Sequence, residues 1–202
     1  LDFDEINYDV SQEFIETSGY VVKLIFKDSN PALPFGVDSL PHKSNFFYGN
    51  DPEAWAVGVS NYGMVIYEDL WPGIDLVYYG TVNQLKYEFI VHPGADPAQI
   101  RLAYRGATDV TLNTAGQLEV STPAGGFTDD SPVAYQEIDG RRVPVEMAYQ
   151  LANDESQPSN SPFAMRNVQF SFSVGPYDLA HPLILDPTVL VYCGYIGGSG
   201  YD

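Results

Sequence analysis

The chain has 202 residues, 45% of them hydrophobic and 18% charged, which suits a globular protein able to bury a sizeable core and not a disordered one. Nine Lys+Arg stand against 27 Asp+Glu, a net charge of −18. A surface of that sign repels nucleic-acid phosphates and anionic headgroups. Cys193 is the one cysteine, so no internal disulfide is possible, and no run approaches the ~18 apolar residues of a membrane span. We therefore expect no nucleic-acid partner and no membrane insertion.

Aromatics make up 14% of the chain, with 15 Tyr and 11 Phe. Such side chains fit a pleated, half-buried surface, so strands are expected. The opening Leu1-Asp-Phe-Asp reads as a processed or truncated start, and the lack of a leader then says nothing about export. In chain order, Tyr20–Phe26 reads as the first strand. Asp51–Ala56 reads as a single helical turn, capped by Asp51 with Pro52 at its first position. Gly63–Tyr67, Ile74–Tyr79 and Leu85–Val91 follow as strands. In the last of these Leu85, Tyr87, Phe89 and Val91 share one face, while Lys86 and Glu88 lie on the other.

Trp71-Pro-Gly-Ile74 and His92-Pro-Gly-Ala95 place Pro-Gly where a type II turn needs it. Asp96-Pro97 repeats the capped helical turn. Short strands are then expected at Ile100–Tyr104, Val110–Leu112, Leu118–Val120, Val133–Ile138, Val143–Tyr149 and Val168–Val174. Asn113–Gly116 and Asp139-Gly140 read as hairpin turns, and Pro144 points to an edge or irregular strand. The polar, proline-bearing stretch Asn153–Pro162 reads as a surface loop. Strands at short spacing without helices give an all-β fold, an antiparallel β-sandwich of two packed sheets with little helix.

The end of the chain is distinctive. Leu183–Asp186 and Thr188–Tyr192 are two apolar segments separated by Pro187, followed by a glycine-rich turn. We divide the chain into a sandwich, 1–187, and a terminal strand and turn, 188–202. Thr188, Val189, Leu190, Val191, Tyr192 and Cys193 form a candidate assembly strand, because an unpaired strand offers free N–H and C=O groups to another sheet edge. The alternative is that the segment folds back into the chain's own sheet. Cys193 is either a small buried hydrophobe or, in an oxidising compartment, a cross-link between subunits.

The candidate chemistry is thin. His42, His92 and His181 lie beside prolines, and the chain has no Gly-x-Ser-x-Gly elbow. The carboxylate pairs Glu68-Asp69 and Asp129-Asp130 are adjacent in sequence, and neighbours on a strand point to opposite faces. A glycan hydrolase is therefore a remote alternative, and we expect no enzyme. Asn50, Asp51, Asp129 and Asp130 are the loop oxygens best suited to calcium, but they lack the spacing of a calcium loop. Trp55, Tyr62 and Trp71 lie in or near turns and are candidates for a polysaccharide-binding platform or for packing.

A series of motifs carries a resemblance. It runs Phe47-Tyr-Gly-Asn-Asp-Pro52, Tyr67-Glu-Asp-Leu-Trp-Pro-Gly-Ile-Asp-Leu-Val-Tyr-Tyr-Gly80, Leu85-Lys-Tyr-Glu-Phe89, Pro93-Gly-Ala-Asp-Pro97, Pro132–Gly140, Gly175-Pro-Tyr-Asp178 and Pro182–Pro187. In this order they resemble the all-β domain of uncharacterised function that precedes the beta-propeller (SBBP) repeats of large bacterial secreted proteins. Tyr192–Asp202 resembles the start of the first repeat, with Cys193-Gly194 where the repeat usually has Ser-Thr. The resemblance implies an extracellular or cell-surface structural module, required to bind no cofactor. Such a module would self-associate as an oligomer or filament, or cap a propeller through its terminal strand. A carbohydrate-binding or adhesion module with calcium-shaped loops is the alternative.

Overall fold

The computed structural model describes residues 21–81, 84–152 and 168–190. Among the described residues, fourteen strands form three antiparallel sheets. The largest has seven strands in the order β11 (Arg141–Val145), β10 (Val133–Ile138), β14 (Leu183–Leu190), β5 (Gln84–Val91), β4 (Ile74–Thr81), β3 (Ala56–Trp71) and β2 (Phe35–Phe46). A four-stranded sheet runs β1 (Lys23–Phe26), β6 (Leu102–Arg105), β13 (Val168–Val174) and β12 (Met147–Ala152). A third sheet, β7 (Asp109–Leu112), β8 (Leu118–Thr122) and β9 (Gly125–Asp129), adds a small flap to the expected two-sheet sandwich. The helical elements among the described residues are two 3₁₀ turns, Pro52–Ala54 and Pro97–Gln99, capped by the side chains of Asp51 and Asp96 as the sequence suggests.

The core lies where the three sheets meet. Ile74, Leu76, Phe89 and Leu185 come from the large sheet, Leu102, Phe170 and Phe172 from the four-stranded one, and Val110, Leu118 and Val120 from the flap. Each fully buried side chain of this kind is worth about 1.5–3 kcal/mol of transfer free energy. Gln136 is buried in their midst. Its amide donates to the carbonyls of Asp178 (2.8 Å) and His181 (3.0 Å), and its oxygen accepts from Asp178 N–H (2.9 Å), which ties down the loop before β14.

Turn chemistry places the strands. Trp71 pairs with Ile74 across Pro72-Gly73, and Gly73 takes the positive φ (71°) of a type II turn. Asp139 and Gly140, at φ 51° and 72°, close the two-residue β10–β11 hairpin. Pro144 sits on β11, a terminal strand of its sheet, where a missing N–H costs no ladder bond.

Two expectations are corrected. Val143–Tyr149 is not one strand. The chain changes sheets at Glu146, whose carbonyl accepts from Gly175 N–H at 2.8 Å. The alternation runs on unbroken because Val145, Met147 and Tyr149 all face the same core. Nor does Pro187 let a second segment swing away. β14 continues through it with a shift of register, and Tyr149 of the opposite sheet donates to the Pro187 carbonyl at 2.8 Å. Thr188, Val189 and Leu190 pair with Tyr87, Lys86 and Leu85 of the same chain. Val191, Tyr192 and Cys193 lie outside the described residues, as does the loop at Asn153–Pro162.

Candidate functional site

The long β2–β3 hairpin stands apart from the sandwich. β4 pairs with β3 from Met64 to Trp71, so among the described residues the eight at Ala56–Gly63 face β2 alone. This two-stranded ribbon extends roughly 26 Å past the sheet at the usual strand rise. Isolated ribbons are marginal in water, and this one is held by its own side chains. Asn61 donates to the His42 carbonyl (3.1 Å) and accepts from the Ser44 hydroxyl (3.0 Å), across the irregular pairing that Pro41 creates. Asn45 accepts from Gly58 N–H (2.8 Å) at a second irregularity, where Gly58 has φ 70°. Lys43 donates to the Ser60 hydroxyl at 2.7 Å.

The apex is aromatic. Phe47 and Tyr48 are each 62% exposed, Phe46 45% and Trp55 36%. Phe46, the last residue of β2, and Tyr48, just beyond it, have ring planes within 9° and centroids 6.5 Å apart. Phe47 meets Trp55 edge-on at 5.1 Å, and the Trp55 indole N–H donates to the Gly49 carbonyl at 3.2 Å. Asp51 accepts from Glu53 N–H (3.0 Å) and closes the turn between them. Val57 and Val59 extend the exposed apolar surface down β3.

This site gathers part of the residue set expected from the sequence. Trp55 is at the apex. Tyr62 lies farther down, its ring laid over Gly36. Trp71 is removed from the surface altogether. It is 2% exposed, packs edge-to-face on Phe26 and Phe89, and donates its indole N–H to the Lys27 carbonyl at 3.0 Å. Phe46, Phe47 and Tyr48 were not singled out as a platform. The available signal was a run of three aromatics leading directly into a Gly-Asn-Asp-Pro turn.

The acidic candidates are scattered. Asn50 and Asp51 are on the ribbon apex, where Asp51 serves as a cap. Asp130 accepts from the Gln117 amide at 2.8 Å. Asp129 is 5% exposed, and its carboxylate accepts a hydrogen bond from the phenol of buried Tyr104. Burial raises the Asp129 pKa and the Asp130 charge adds to the rise, while the Tyr104 hydrogen bond opposes it. Tyr104 is raised in turn, by burial first and then by Asp129. The pair joins the flap to the four-stranded sheet and has no exposed face to offer a substrate. Among the described residues no group of three or more His, Cys, Asp or Glu is placed to hold a metal ion.

Two other polar clusters are self-contained. His92 Nε2 lies 2.7 Å from Asp75 Oδ2, and the other Asp75 oxygen accepts from Asp69 N–H at 2.8 Å, so the pair clasps the Trp71–Ile74 turn. On the outer face of the large sheet, Tyr79 donates to Glu88 (2.8 Å), Lys86 pairs with Asp186 (3.7 Å), and Arg142 lies 4.2 Å over the Tyr135 ring. Groups satisfied by each other are poorly placed to recognise a ligand.

Residues 4–188 match the model of a family described as a domain of unknown function, DUF7948. The chain belongs to this family. No curated protein and no solved structure matches it. Family membership supplies no activity, so the functional reading rests on the surface just described.

Proposed function

We propose that this member of the family is a non-catalytic module of an exported protein that works by surface contact, with the β2–β3 ribbon as its contact element. The observation that carries the reading is the apex itself. Four aromatic side chains are exposed at the end of a ribbon that, among the described residues, has no core beneath it, yet is stiffened by five side-chain hydrogen bonds along its length. Rigid aromatics set in solvent are the side chains that dominate interaction energies, and holding them in place beforehand lowers the cost of binding. The resemblance to the domain preceding SBBP repeats supports an extracellular or cell-surface setting. The test is adhesion of beads coated with the domain to a panel of protein and polysaccharide surfaces. The parent should adhere to at least one surface, and F47S/Y48S/W55S should not. Equal adhesion of the two would refute the reading.

A second reading keeps the terminal strand as an assembly element. It is favoured by one observation: Thr188–Leu190 run on past the stretch of β14 that pairs with β10, so among the described residues they are paired on the β5 side alone. A chain cut after Pro187 should then lose self-association in light scattering. Unchanged association would end that version.

A further inference from the structure

We infer that the ribbon apex binds a neutral polysaccharide, with Phe46 and Tyr48 stacking against successive sugar rings; this deepens, and rests on, the reading of the ribbon as a contact element. Phe46 ends β2 and Tyr48 lies just beyond it, their ring planes nearly parallel, 9° apart, with centroids 6.5 Å from each other. Both are exposed. Together they expose an aromatic patch at the apex. A pyranose matches such a patch, since it presents C–H groups on its faces and hydroxyls around its rim. Phe47 and Trp55 brace the apex by their edge-to-face contact and the bond to Gly49.

The polar surroundings suit hydroxyl donors. Asn50, Asp51 and Glu53 follow Tyr48 in the turn of the ribbon, and Asp51 spends one carboxylate oxygen on its cap. Carboxylate and amide oxygens accept hydrogen bonds from sugar hydroxyls.

Charge selects among the occupants. Between residues 39 and 63 the charged side chains are Lys43, Asp51 and Glu53, on a chain of net charge −18. Uronate-rich or sulfated polymers are repelled by that field. A bilayer would have to admit Asp51 and Glu53 at the leading edge together with the rings, at considerable cost. A second copy would bring like-charged apices together in any symmetric tip-to-tip contact. A neutral glycan meets none of these penalties.

The experiment is affinity electrophoresis in native gels containing xyloglucan, mixed-linkage β-glucan, galactomannan or dextran, with alginate as the polyanionic probe. The same samples are run in sedimentation with zwitterionic vesicles. The parent should be retarded by at least one neutral polymer and not by alginate or vesicles. F46S/Y48S should bind at least tenfold more weakly with an unchanged unfolding midpoint. No retardation by any neutral polymer, retardation equal in the variant, or binding confined to vesicles or alginate would overturn the inference. Loss of adhesion to protein-coated surfaces in F47S/Y48S/W55S, without any retardation by glycan, would overturn the polysaccharide alone and leave the contact reading standing.

Discussion

Tyr104 donates its phenolic proton to the carboxylate of Asp129, and both residues are buried. β6 and β9 are thereby joined across two sheets, and Phe127 packs edge-on against the Tyr104 ring at 5.5 Å. The link places an acid where burial opposes its charge.

The pH dependence follows from the sign of that effect. Burial raises the folded-state pKa of Asp129 above the ordinary 3.8, so the folded chain holds this proton more tightly than the unfolded one. The stabilisation is full below the ordinary value and is lost as pH rises through the raised one. Asp130, Tyr87 and Tyr149 face the same corner, and Asp130 reinforces the rise. Asp129→Asn removes the charge and keeps an oxygen for Tyr104. Its unfolding midpoint should fall less steeply than the parent's as pH rises above the ordinary 3.8, a comparison thermal melts can make directly. An identical slope would rule out Asp129 as the source.

The two tryptophans separate core from contact surface. Trp71→Phe leaves the Lys27 carbonyl without its donor and removes ring volume, at a cost of about 1–3 kcal/mol. Trp71→Ala should cost about 3–5 kcal/mol. Trp55→Ala, at an exposed apex, should cost about 1 kcal/mol or less. Chemical denaturation of the three variants measures the order.

Tyr62 covers Gly36 so closely that a β-carbon there would lie 2.2 Å from the ring. Gly36→Ala should therefore displace the ring and cost about 1–3 kcal/mol. In a double-mutant cycle, Gly36→Ala in a Tyr62→Ala background should cost much less, since the clash is gone. Additive effects would show that Gly36 is needed for another reason.

Gln136→Leu should be among the most damaging single changes in the large sheet. It leaves the Asp178 and His181 carbonyls and the Asp178 N–H without a buried partner. Each such group costs about 1–3 kcal/mol. Hydrogen exchange should show faster exchange at Asp178 N–H than in the parent.

Much of the sandwich could be read from the residues because one face of each strand meets the core. Leu85–Val91 alternates as β5 does, and Val168–Val174 is β13 residue for residue. β2 escaped notice because it is a terminal strand carrying Pro41 and a polar run, and its ribbon half has no buried face to impose a period. β9 was obscured by Gly125 and Gly126. At Gly126 a β-carbon would strike the Val120 carbonyl at 2.6 Å, so glycine there reflects close packing of strands and not a turn. Asp129 looked like a loop acid because sequence gives no sign that Tyr104, 25 residues earlier, reaches it. Trp71 adjoins a Pro-Gly turn, so its position alone leaves platform and packing both open, and the structure buries it against Phe26 and Phe89.

The most direct test of the contact reading compares two sets of exposed apolar residues on the same chain. F47S/Y48S/W55S alters the ribbon apex. V133S/L179S alters exposed residues elsewhere, Val133 on β10 and Leu179 in the loop before β14. Both should melt close to the parent. Bead adhesion to the surface panel should be lost in the apex variant and retained in the other. Adhesion that survives at the apex, or that falls equally in both, would contradict the assignment of the ribbon as the contact element.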